Sequence, residues 1–194
     1  MRKHLRRFIE VVINHIPIAQ PIYEFGSLQV SNSPEVESLR SLFPGTEYVG
    51  CDVREGPGVD RVMNLHAIDL PDNCVGTVVC MDTMEHVEYP RKAIAEIHRI
   101  LQPGGMVIMS SVMDFPIHGY PNDYWRFTPE GFKSLLNVFE HQFVGFDGPQ
   151  DKPITIVGLG FKGESPSLDG LTTAYLEWQR RSNLIYQKLN NPSP

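Results

Sequence analysis

The sequence predicts an α/β fold: a doubly wound, mostly parallel seven-stranded sheet that closes with an antiparallel C-terminal hairpin. Three observations carry this. Short β-rich runs alternate with helix-patterned runs up to about residue 139, an order that yields a parallel sheet covered on both faces. Several of those runs end in an acid, a glycine or a turn residue, as strands do where they open toward a ligand. Two late runs, 142–146 and 154–159, are joined by "DGPQDKP", which is too short for a helical crossover, so they pair as a hairpin. A chain of 194 residues suits one domain with a sizeable core, and no shift in composition marks a boundary.

Taken in order, Leu5, Phe8, Ile9, Val12, Ile13 and Ile16 fall on one face of an amphipathic N-terminal helix within residues 1–20. Glu10 interrupts the apolar part, so a signal peptide is not expected. The helix has four readings: packed on the domain, a lid, a homodimer contact, or a peripheral membrane foot using Arg2, Lys3, Arg6 and Arg7. A first strand at 22–25 leads to a helix start at Ser33-Pro34-Glu35 within 31–43, then a strand at 47–52. A short strand at 61–63 precedes a buried one at 75–81. Pro90 opens a helix whose apolar stripe is Ala93, Ile94, Ile97 and Leu101; "QPGG" stops it before a strand at 106–112. Thr128 is the expected N-cap of the next helix, and a closing helix is expected within 165–194. The whole is Rossmann-like.

Composition narrows the function. Apolar (41%) and charged (21%) content are those of a globular protein, and the net charge of -6 argues against nucleic acid as partner. Cys51, Cys74 and Cys80 form no CxxC pair, so neither a zinc site nor a disulfide framework is expected, and a reducing, cytoplasmic setting is. "GLGFKG" at 158–163 spells a dinucleotide-loop pattern but lacks a following helix, so it reads as a strand end. Asp52 closes the second strand, where a carboxylate can grip a ribose diol.

The stretch "DLPDNCVGTVVCMDTMEHVEYPRKAIAEIHRILQPGGMVIMSS" resembles the class I S-adenosylmethionine-dependent methyltransferases, most of all their small-molecule, methyltransferase-11-like branch. It carries an acidic-Pro-Asp loop, a strand, "D-x-x-E-H-V", a helix ending in "L-x-P-G-G" and another strand, in that order. The resemblance implies S-adenosylmethionine as cofactor and methyl transfer to a small-molecule acceptor. It implies that Glu24 and Gly26 lie under the methionine part, that Asp52 holds the ribose and that Val53 packs on the adenine; Ser27 stands where the family has a further glycine, and its hydroxyl can donate to the cofactor carboxylate. Asn64 and the Leu65 backbone would contact the adenine, and Met81 and Asp82 the amino group and methyl. Leu28 and Asn64 depart from the family pattern, which has a further glycine and an acid at those places.

The aromatic stretch "MDFPIHGYPNDYWRFTPEG" follows the fifth strand and should overhang the same edge. Asp114, Tyr120, Asp123, Tyr124, Trp125 and Arg126 are the expected acceptor contacts, with a plain loop anchored by an Arg126–Asp123 pair as the alternative. His86 and His118 are the candidate bases, because imidazole titrates near working pH. No metal-ligand pattern stands out in the sequence, and no metal is expected. Two competing functions remain on the same residues: a non-catalytic binding or scaffold protein, and a nicotinamide-dependent oxidoreductase resting on Asp52 and the general α/β pattern.

Overall fold

The computed structural model describes residues 2–29, 38–119 and 122–190. Among them, seven strands form one sheet in the order β3-β2-β1-β4-β5-β7-β6. The strands are β1 (Ile22–Phe25), β2 (Tyr48–Asp52), β3 (Arg61–Val62), β4 (Val75–Cys80), β5 (Leu101–Val112), β6 (His141–Asp147) and β7 (Thr155–Phe161). The first five pair in parallel, and β7 runs antiparallel between β5 and β6. The hairpin is therefore present, with its second strand inserted next to the parallel part.

Alternation along each strand sorts side chains to two layers. Tyr23, Phe25, Cys51, Val78, Cys80, Val107 and Met109 face α2 (Pro90–Ile100) and α3 (Pro129–Leu135). Ile22, Tyr48, Val79, Met81, Ile108, Val157 and Leu159 face α1 (Lys3–His15) and α4 (Asp169–Asn190). The apolar stripe of α1 is spent here: Leu5, Phe8, Ile9 and Val12 are all buried. Phe8 packs on Trp178 at 5.3 Å between ring centres, and the Trp178 indole N–H donates to the His4 carbonyl at 2.8 Å. Among the described residues no helix is long and apolar enough to cross a membrane.

Several boundaries move from their expected places. β5 begins directly at Leu101, without a turn after α2, because the "QPGG" step is absorbed as an irregularity opposite Val75–Thr77. The expected helix start at 33–35 lies outside the described residues, and the chain re-enters them with a single 3-10 turn, Leu39–Leu42. Thr128 does cap α3, accepting from the Gly131 N–H at 3.0 Å. The 158–163 pattern lies in and just beyond β7, and its Lys162 ammonium reaches the carbonyls of His98 (2.8 Å) and Leu101 (2.7 Å), capping the end of α2. The three cysteines are free thiols.

Candidate active site at the carboxyl edge of the sheet

Strand order reverses between β1 and β4, so the crevice of a doubly wound sheet opens where these two strands end. Gly26 follows β1 with φ +85°, a region open to glycine. A Cβ there would come within 2.1 Å of Thr83 Oγ1, so the loops after β1 and β4 touch at this point. The Gly26 and Ser27 N–H groups both donate to the Cys51 carbonyl, at 2.9 and 3.0 Å. Ser27 is buried and its hydroxyl has no hydrogen-bond partner among the described residues. Leu28 turns onto the loop after β2, where it lies against Gly56, and the Gln29 N–H donates to Pro57 O at 2.9 Å. The departure at Leu28 is thus a loop-on-loop contact.

Asp52 ends β2 with its side chain 10% exposed, beside Arg54; its Oδ1 accepts the Arg54 N–H at 3.0 Å. Val53 is 55% exposed, an open apolar face next to it. Asn64 is exposed, its amide oxygen accepts the His66 N–H at 2.9 Å, and Leu65 is buried in the α2-side core. Asp82, after β4, adopts φ +44°. Its carboxylate accepts the Ser110 hydroxyl at 2.8 Å and the Nη2 and Nε groups of Arg2, at 2.8 and 2.9 Å. Arg2 also lies 5.4 Å from the centre of the Phe115 ring.

Two expected cofactor contacts point elsewhere. Glu24 lies on the α1 side of the sheet and its carboxylate accepts the Tyr48 hydroxyl at 2.6 Å; burial, the dominant influence, pushes its pKa up against the opposing effect of that bond. The Met81 side chain is buried in the same layer; its carbonyl lies 2.9 Å from the Thr83 hydroxyl. Period-two alternation forces both results, since Glu24 and Met81 share a face with Ile22 and Val79.

The loop after β5 lies over the turn that follows β4. The Tyr124 and Trp125 N–H groups donate to Glu85 O at 2.8 and 3.1 Å, and the Trp125 indole N–H donates to Val87 O at 3.0 Å. Asp123 and Arg126 form a two-pronged pair at 2.6 and 2.7 Å, which holds the Asp123 carboxyl well below the usual carboxylate range. That pair braces the loop, so neither side chain is free for an acceptor, a correction to the expected contacts. Asp114 faces Lys152 at 3.1 Å. Tyr120 lies outside the described residues. Tyr124 and Trp125 are each 43% exposed, and Trp125 lines an apolar cleft of about 390 Å³ with Tyr89, Pro90, Phe127 and Leu135.

His86 and His118 do meet, with ring centres 5.0 Å apart. Within 4.8 Å of both, atom to atom, the fold places a carboxylate that the sequence alone did not single out. Glu85 is fully buried; its Oε2 accepts the Ser111 hydroxyl at 2.6 Å, and its Oε1 lies 3.8 Å from His118 Nε2 without a hydrogen bond. Burial first, and the Asp82 charge second, push the Glu85 pKa well up. Neither Glu85 nor Arg2 could be found by spacing, because their partners lie on distant segments.

Residues 36–109 match the model of a methyltransferase domain family. No curated protein sequence matches the chain. Among solved structures, an S-adenosylmethionine-dependent methyltransferase from Methanosarcina mazei is similar at TM-score 0.57 and 13% identity, over 79% of this chain and 97% of that one. Another, from Archaeoglobus fulgidus, is similar at TM-score 0.62 and 13% identity, over 84% and 95%. Phosphoethanolamine N-methyltransferase 2 of Haemonchus contortus, solved with S-adenosyl-L-methionine, is similar at TM-score 0.61 and 13% identity, over 81% of this chain and 52% of that one.

Proposed function

We propose that this chain, which has the fold of the class I S-adenosylmethionine-dependent methyltransferases, transfers a methyl group to a small molecule held beneath the loop after β5. The observation that carries this is the grouping of Gly26, Asp52 and Asp82 along one edge, at the switch point between β1 and β4. The donor set fits the cofactor. Asp82 already holds a cation, the Arg2 guanidinium, where the cofactor's ammonium would be held. Ser27 offers a buried hydroxyl without a partner, and Asp52 a carboxylate suited to a diol. S-adenosylmethionine, when bound, would supply an electrophilic methyl carbon on its sulfonium, with the thioether S-adenosylhomocysteine as the leaving group opposite the acceptor.

The chain's own residues then have to orient the acceptor, exclude water and take a proton. Trp125, Tyr89 and Phe127 supply the apolar wall, and His86 or His118 the proton acceptor. Isothermal titration with S-adenosylhomocysteine tests the reading. Binding is expected, and Asp52→Ala should weaken it by about 1.5–3 kcal/mol for the charged hydrogen bond lost, or roughly 10- to 100-fold. A second reading, a non-catalytic binding protein on this fold, is favoured by the Arg2–Asp82 pair and by Leu28 lying across the loop. Absence of heat at millimolar ligand, for the wild type and for Arg2→Ala, decides for it.

A further inference from the structure

We propose that Glu85, His86 and His118 form a binding site for one divalent first-row transition-metal ion. One ligand atom from each lies within 4.8 Å of the other two. Metal bonds to imidazole nitrogen and carboxylate oxygen are about 2.0–2.2 Å long. Closing the three onto an ion therefore takes side-chain movements on the order of 1 Å, within reach of rotamer adjustment.

The surroundings are those of a built site. The Glu85 carboxylate is oriented by the Ser111 hydroxyl through one oxygen, and its other oxygen is buried without a hydrogen bond. A buried carboxylate oxygen left unpaired is costly, and a cation removes that cost. Both imidazoles are held through Nδ1. That of His86 lies 2.7 Å from the Asn122 carbonyl; that of His118 lies 3.1 Å from Pro116 O and 3.3 Å from Asp123 Oδ2. With Nδ1–H given to an oxygen, each ring keeps its lone pair on Nε2, as metal-ligating histidines do. Asp123 is itself fixed by Arg126, so the outer support extends one residue further.

The backbone lets these groups meet. Gly119 has φ +75°, and a Cβ on it would fall 2.3 Å from the His86 ring, so glycine allows the loop to close over that histidine. Two imidazoles and one carboxylate suit zinc or iron(II), and disfavour magnesium and calcium, which prefer all-oxygen surroundings. Three protein ligands leave at least one coordination position open. The ion-binding claim stands apart from the methyl-transfer reading; that the open position takes an oxygen of the acceptor rests on it. With the ion bound the two histidines are its ligands, and the role of proton acceptor proposed above belongs to the metal-free chain.

The test uses the full chain, stripped with a chelator and dialysed. Co²⁺ titration should give a visible d–d band that saturates at one ion per chain, and Zn²⁺ should displace it. His86→Ala and His118→Ala should each weaken Co²⁺ binding on the order of 100-fold. Circular dichroism in chelator checks that the variants fold; where an alanine variant does not, His86→Gln and Glu85→Gln replace it. Loss of stoichiometric Co²⁺ binding in the folded variants supports the site. No stoichiometric binding by the wild type, or binding unchanged in the His86→Ala/His118→Ala double variant, overturns it. S-adenosylhomocysteine titrated separately reports the methyl-transfer reading, so either idea can fail without the other.

Discussion

Asp82 answers two demands at once: it caps the edge of β4 with φ +44°, and it pairs with an arginine eighty residues earlier in the chain. If the same carboxylate receives the cofactor's ammonium, Arg2 competes with it. Arg2→Ala should then tighten S-adenosylhomocysteine binding on the order of tenfold, read by isothermal titration, with the largest gain at low salt. Unchanged affinity would mean that Arg2 and the ligand do not share Asp82. Gly26 makes the second residue-scale prediction. Gly26→Ala combines a left-handed φ with a 2.1 Å approach to Thr83 Oγ1, and should cost about 2 kcal/mol or more in urea denaturation. Thr83→Ala in that background should return the steric share and leave the backbone share.

Elements are held at their ends as much as along their faces. The last carbonyls of α2 need partners that the helix cannot supply, and Lys162 provides them from the end of β7, with a further bond to Asn73 at 2.8 Å. Lys162→Met keeps the aliphatic stem and removes the donor; it should destabilise by about 1.5–3 kcal/mol in denaturant midpoints. An effect below about half a kcal/mol would show that solvent replaces the cap. α1 contributes at both levels. Its stripe buries Leu5, Phe8, Ile9 and Val12 against the sheet and α4, while its extended N-cap residue, Arg2, reaches the crevice. A helix anchored in this way cannot move without disturbing Asp82.

At the scale of the molecule, Glu24 couples the sheet's stability to pH. Burial raises its folded pKa above the ordinary 4.5, so the folded state favours the protonated form. Its contribution is therefore greatest at low pH and declines as pH rises from the ordinary value through the raised folded one. Glu24→Gln retains an acceptor for the Tyr48 hydroxyl and removes the titration. Melting temperatures of the variant minus those of the wild type should rise over that interval and then level. A flat difference would show that water reaches the carboxylate.

The sequence by itself determined the layers. Alternating strand and helix patterns, the stripe Leu5–Phe8–Ile9–Val12, the Thr128 cap and the short 147–153 connection all act over neighbouring residues, so local physics fixes them. It also located the edge at which Gly26, Asp52 and Asp82 gather, because a parallel sheet places strand ends together. Local pairs such as Arg126–Asp123 were legible in the chain, but the long-range partners were decided by tertiary structure alone. Glu24 turned to Tyr48, Arg2 reached Asp82, β7 slid between β5 and β6, and Glu85 came within reach of His118. Those outcomes depend on pleat parity, strand order and loop closure across long separations, and no periodicity in the chain encodes them.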